Sequence, residues 1–98
     1  MVDYQHIMYE IKPYTVQQAK RMGVTVRPST NPKKKIDVFD DGKKVASVGA
    51  IGFSDFPTYL KEEGKAVADE RRRLYRIRHS NTMNKIGSPS YFAAKLLW

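Results

Sequence analysis

At 98 residues the chain has room for one hydrophobic core, since a second would leave too little apolar surface for either. It is 41% hydrophobic and 29% charged, the mixture of a folded domain, and with no cysteine it excludes disulfides, thiolate nucleophiles and cysteine-based zinc sites. A formal net charge of +8 makes a polyanion or an acidic protein face the expected class of partner.

The start, MVDYQHIMYEI, carries acids and a histidine where a secretory signal needs a basic start and an apolar run. No stretch approaches the roughly 18 apolar residues of a membrane span, so the chain is expected to be neither exported nor membrane-spanning. TVQQAKRM then reads as a short helix, with Thr15 as its N-cap, Gly23 as its stop, and Val16, Ala19 and Met22 along one face. Val24 to Arg27 alternates as a strand does, and the proline-rich loop after it marks the best internal boundary. The domain reading is an N-terminal arm over 1–32 and a compact core over 33–98.

KKKIDVFD and KKVASVG flank Asp41-Gly42, a strong hairpin signal because glycine tolerates the positive φ of a tight turn. A β-hairpin is predicted over 33–49, with Ile36 and Val38 on one face and Lys35, Asp37 and Phe39 on the other. Gly49 and Gly52 end it, Ser54 or Asp55 caps a helix with Pro57 near its first position, and Gly64 stops that helix. The run from Lys65 to His79 is free of Gly and Pro and predicts a central helix with Val67, Leu74 and Ile77 facing inward. Asp69 and Arg73 are spaced to pair along it. Ser88 and Pro89 open a final amphipathic helix ending in Leu-Leu-Trp. The fold class is α+β: a small antiparallel sheet packed by a basic central helix and a C-terminal helix. Its expected interior is Ile36, Val38, Val45, Val48, Leu60, Val67, Leu74 and Ile77, with Leu74→Ala costing roughly 2–5 kcal/mol.

Two basic clusters stand out. Lys33, Lys34 and Lys35 open the hairpin, Lys43 and Lys44 follow its turn, and the sequence suggests that they bracket one end of the ribbon. In the central helix Arg72, Arg76 and His79 share a stripe, with Arg71, Arg73 and Arg78 beside it; guanidinium forks match phosphate or carboxylate. Each cluster also has a plainer use, as lysine protection of a sheet edge or as a solvated helix face. Replacing Arg72 and Arg76 by Gln is expected to leave stability little changed. Tyr91, Phe92, Leu97 and Trp98 are apolar candidates for a partner surface, although aromatic residues in so small a domain serve mostly as core. For catalysis there are only His6, His79 and scattered carboxylates and serines, with no nucleophile elbow, phosphate loop or dinucleotide fingerprint. No enzyme activity, cofactor, metal or small-molecule substrate is expected.

The segments VRPSTNPKKKIDVFDDGKKVASVGAIGFSDFPTYL, ERRRLYRIRH and GSPSYFAAKLLW resemble a small domain family of unknown function encoded by nucleocytoplasmic large DNA viruses, the giant viruses of algae and amoebae. The likeness covers about residues 24–98 and runs from a strand pair through Gly52 to Phe56, the basic helix closing on Arg78-His79, and Gly87 to Trp98. The chain departs from that pattern in a longer Thr58 to Asp69 segment and in ending at Trp98. The resemblance implies a viral setting, the virion and the host cytoplasm during assembly. Two readings follow: a minor capsid or cementing protein binding other viral structural proteins, or a nucleic-acid-binding protein neutralising phosphates with the same cations. They differ in charge placement, because a DNA binder gathers one unbroken basic face while a cementing protein distributes basic and apolar patches.

Overall fold

The computed structural model describes residues 9–98, so His6 and the first part of the expected arm lie outside the described residues. Four helices and a three-stranded sheet follow one another as α1 (Pro13–Met22), β1 (Thr25–Pro28), β2 (Lys34–Asp40), β3 (Lys43–Ala50), α2 (Phe56–Glu63), α3 (Lys65–Arg78) and α4 (Pro89–Leu96). This is an α+β domain with an antiparallel sheet in the order β1-β2-β3. The hairpin turns at Asp41 and Gly42, whose φ of 53° and 78° give the doubly left-handed turn that matches strand twist.

Local chemistry sets the helix ends. Asp55 caps α2 by accepting from the Thr58 N–H, Ser88 caps α4 by accepting from the Tyr91 N–H, and each helix has proline in its first turn. Gly23 closes α1 at φ 75°, returning its N–H to Lys20 and Ala19. Thr15 is not a cap: α1 begins at Pro13 after Lys12, and Thr15, fully buried, donates its hydroxyl to the Leu96 carbonyl at 2.8 Å.

That bond belongs to a wider arrangement. The last carbonyls of a helix have no partner within it, and around the end of α4 four successive ones are taken up by three other elements. Gln18 of α1 donates to Lys95 O, Thr15 of α1 to Leu96 O, the Phe56 N–H of α2 to Leu97 O, and Arg76 of α3 to Trp98 O. The stretch Leu96-Leu97-Trp98 is correspondingly buried and joins the helices to one another. Residues 13–28 are therefore not an arm set apart from 33–98. Thr15 and Gln18 bond the end of α4, and β1 pairs along β2 from Thr25↔Phe39 to Pro28↔Ile36.

The interior differs from the expected one at particular positions. Ile36, Val38 and Val48 are buried as predicted, but Val45, Leu60 and Ile77 are exposed, and Val67 and Leu74 are only half-buried. Val45 is displaced because the register skips it, with Val38 opposite Ala46 and Phe39 opposite Lys44, so Ala46 turns inward instead. In α2 the buried side is Phe56 and Pro57, with Phe56 tilted on Tyr14 at 5.1 Å. In α3 it is Ala68 and Tyr75, seven residues apart on one stripe. Tyr75 is stacked between Trp98 at 4.4 Å and His79 at 4.2 Å, which leaves Ile77 on the opposite side of the helix.

β2 is covered on both faces, since Lys35, Ile36, Asp37 and Val38 are all buried in succession. Its two charges are compensated. Asp37 accepts from the Ser29 and Ser47 hydroxyls at 2.6 Å each and from the Thr30 N–H. Lys35 Nζ donates to Asp55 at 2.8 Å, and Tyr9 donates its phenol to the same carboxylate at 2.6 Å. Among the described residues no buried side-chain nitrogen or oxygen is left without a partner.

Candidate functional site

The cations predicted to act together are divided by the fold. Lys34 lies opposite Ala50 at the open end of the hairpin and Lys43 opposite Asp40 at its turn, so the lysines sit at opposite ends of β2, roughly 20 Å apart, rather than at one end. Lys33 is exposed at the open end. Lys35 is not available to a partner, because it is 5% exposed and committed to Asp55. Lys44 lies 3.9 Å from the Asp37 carboxylate.

On α3 the stripe expected to bind is used internally. The Arg72 guanidinium sits 3.9 Å over the Phe56 ring and bonds Asp69 at 3.3 Å, Arg76 bonds the Trp98 carbonyl, and His79 stacks on Tyr75. Asp69 pairs with Lys65 and Arg72, not with Arg73; Arg73 forks onto Glu70 at 3.0 and 2.6 Å. Phe92 and Leu97 are core and Tyr91 is half-buried against Phe92, while Trp98 is largely buried but reaches a groove.

What the fold does bring together is a groove of ≈ 480 Å³ between the end of β3, α3 and α4. One wall is the α3 stripe Arg71, Leu74, Tyr75 and Arg78, spaced i, i+3, i+4 and i+7 so that all face one way. Tyr75 is innermost, while Arg71 and Arg78 are exposed. The strand side supplies Lys34, Val48, Gly49 and Ala50, and α4 supplies Pro89, Ser90 and Ala93. Lys35, Ser54, Tyr59, His79 and Trp98 complete the lining, and Phe53, 75% exposed, stands at its edge. Among the described residues no Asp or Glu lines the groove. Gly49 is required where the wall is tightest: its φ is +82°, and an added Cβ would lie 2.8 Å from Leu97 Cδ1.

Of the residues singled out in the sequence, Lys34, Lys35, Arg71, Arg78, His79 and Trp98 line the groove; Arg71 and Arg78 were placed beside the binding stripe rather than on it, Phe53 and Tyr59 counted only among aromatics that serve mostly as core, and Leu74 was placed inside. For Phe53 a signal existed, a lone aromatic between Gly52 and Ser54 in a segment that ends a strand.

Three electrostatic environments lie near the sheet. For Asp55, burial pushes the carboxyl up, but hydrogen bonds from Lys35, the Thr58 N–H and Tyr9, with the Lys35 charge, hold it below the usual carboxylate range. Asp37 is lowered in the same manner, with burial opposed by Ser29, Ser47, the Thr30 N–H and Lys44. Burial, then the bond to Asp55, raises the Tyr9 phenol. Among the described residues no group of three or more His, Cys, Asp or Glu could hold a metal ion, and no helix is long and apolar enough to cross a membrane. No protein-family model, curated protein or solved structure matches the chain.

Proposed function

We propose that this chain is a non-catalytic structural component of a large DNA virus particle, a minor capsid or cementing protein that docks on acidic surfaces of other virion proteins. The viral setting, with assembly in the host cytoplasm, is supported by the resemblance of residues 24–98. Docking on protein is supported by the distribution of charge, the observation that carries the reading. Lys34, Arg71 and Arg78 surround the groove, Lys43 and Lys44 lie at the far end of the hairpin, and Arg72, Arg73 and Arg76 are engaged by groups of the chain itself. A duplex binder needs an unbroken cationic track, because phosphates follow one another closely along the helix axis. Exposed Ile51, Phe53, Ile77 and Ile86 add separate apolar contacts of the kind a protein interface uses.

The non-catalytic reading is supported by the groove's inventory. Among the described residues of the lining, His79 has no carboxylate beside it to orient it as a base. A second reading, nucleic-acid binding, is favoured by one observation, the exposed Phe53 ring among cations, an arrangement on which a base can stack. Titration of labelled DNA duplexes of unrelated sequence at physiological salt separates the two. Binding no tighter than the non-specific range of roughly 10⁻⁴–10⁻⁶ M is expected for a protein-docking component. Sequence-independent submicromolar affinity would overturn it.

A further inference from the structure

We infer that the groove between β3, α3 and α4 receives an extended acidic segment of a partner protein, with an apolar side chain seated between flanking carboxylates. The inference rests on the docking reading and specifies its site and the chemistry of its ligand.

Charge and shape both lead there. The groove has cations at its margins, Arg71 and Arg78 on α3 and Lys34 across from them, and among the described residues no acid lines it. Between them lie apolar groups, Leu74, Val48 and Ala93, which a chain of alternating charge cannot satisfy but a single aliphatic or aromatic side chain can. Arg71 and Arg78 are two helical turns apart, about 10 Å, which is the span of three extended residues. Carboxylates three positions apart in an extended segment can therefore meet the two arginines, and of the two apolar residues between them one turns into the groove. The groove's volume of ≈ 480 Å³ lies within the range of sites that bury small ligands, and is far too small for a duplex.

Single-stranded nucleic acid has the right charge but finds few surfaces to stack on. Tyr75 has Trp98 against one face and His79 against the other, at 4.4 and 4.2 Å, and the Tyr59 ring is 5.5 Å from the Arg71 guanidinium and tilted on Trp98 at 6.2 Å. Both faces of Tyr75 are thus covered, and among the described residues Phe53 is the one widely exposed ring at the site. Binders of single strands depend on successive open ring faces.

Trp98 lines the groove and is the single tryptophan of the chain, so its emission reports on occupancy. The test titrates the full chain with a capped peptide, Asp-Asp-Leu-Phe-Asp-Asp, its Asn-for-Asp counterpart, and a short oligothymidylate. Saturable binding of the acidic peptide with a change in Trp98 emission is expected, weakened roughly tenfold or more in Arg71→Gln/Arg78→Gln and unchanged in Lys43→Gln/Lys44→Gln. A thermal melt confirms that the variants are folded, and Lys34→Gln gives the same test should the arginine pair fail to fold. Three results would overturn the inference. If the peptide still binds the groove variant and is lost from the hairpin-turn variant, the groove is the wrong surface although docking stands. If the Asn peptide binds equally, the acidic chemistry is wrong. If the oligothymidylate binds more tightly than the acidic peptide, or neither binds, the docking reading falls with it.

Discussion

Three buried residues, Thr15, Lys35 and Asp55, decide much of the local energetics, and all lie where polar groups are drawn inside. Thr15 matters for one bond, its hydroxyl to the Leu96 carbonyl. Thr15→Val preserves shape but leaves that buried carbonyl without its donor, so urea unfolding should show a loss of about 1–3 kcal/mol. Lys35 and Asp55 form a pair that burial disfavours separately and geometry favours together, so removing either charge alone should cost about 3–5 kcal/mol. The pair also fixes a pH dependence. Asp55 and Asp37 titrate below ordinary carboxylates in the folded chain. Above the unfolded value, about 3.9, both states are ionised and the stabilisation is fully present. As pH falls from there through the folded values, the unfolded chain takes up protons first and stability declines. Unfolding free energies measured from neutral pH downward should follow that decline, and Asp55→Asn should start lower and decline less steeply; an equally steep acid limb in the variant would mean that Asp55 is not its source.

Among the elements, the residues at and after the end of α4 tie α1, α2 and α3 together, and α3 is held to Trp98 by ring stacking rather than by an aliphatic seam. Tyr75→Ala, which removes the ring between Trp98 and His79, should therefore lower stability by about 3 kcal/mol or more. Ile77→Ser should stay within about 0.5 kcal/mol, and half-buried Leu74→Ala should cost less than the 2–5 kcal/mol its sequence position suggested. Equal losses at Tyr75 and Ile77 in a chemical-denaturation series would contradict this assignment of faces. The same contrast shows what the sequence made legible. Helix ends were readable at Gly23, Asp55, Gly64 and Ser88, and the hairpin at Asp41-Gly42, because caps and turns are decided by neighbouring residues. Burial on α3 was not, because Val67, Leu74 and Ile77 look more apolar than Tyr75 until Trp98, distant in sequence, supplies the surface on which Tyr75 stacks. Thr15 resembled a cap for a similar reason: its partner, Leu96, is 81 positions away.

Across the whole molecule the sequence revealed the excess of positive charge but not its arrangement. Lys33 to Lys35 and Lys43-Lys44 are close in the chain and separate in space, while Lys34 and Arg78 are far apart in the chain and line one groove. Strand register and the stacking of α3 on the C-terminal residues, neither of them a local property, produce that regrouping. They also turn Arg72 and Arg76 from ligand-seeking side chains into internal ties, so Arg72→Gln/Arg76→Gln should lower the melting temperature instead of leaving it unchanged. The proposed docking of the chain into a viral particle through the groove can be measured by quantitative mass spectrometry of particles assembled with wild type, Arg71→Gln/Arg78→Gln or Lys43→Gln/Lys44→Gln. The proposal predicts that the wild type and the hairpin-turn variant are incorporated at matching copy number while the groove variant, folded in isolation, is largely absent. Incorporation of the groove variant at the wild-type level, or absence of the wild-type chain from the particles, would contradict it.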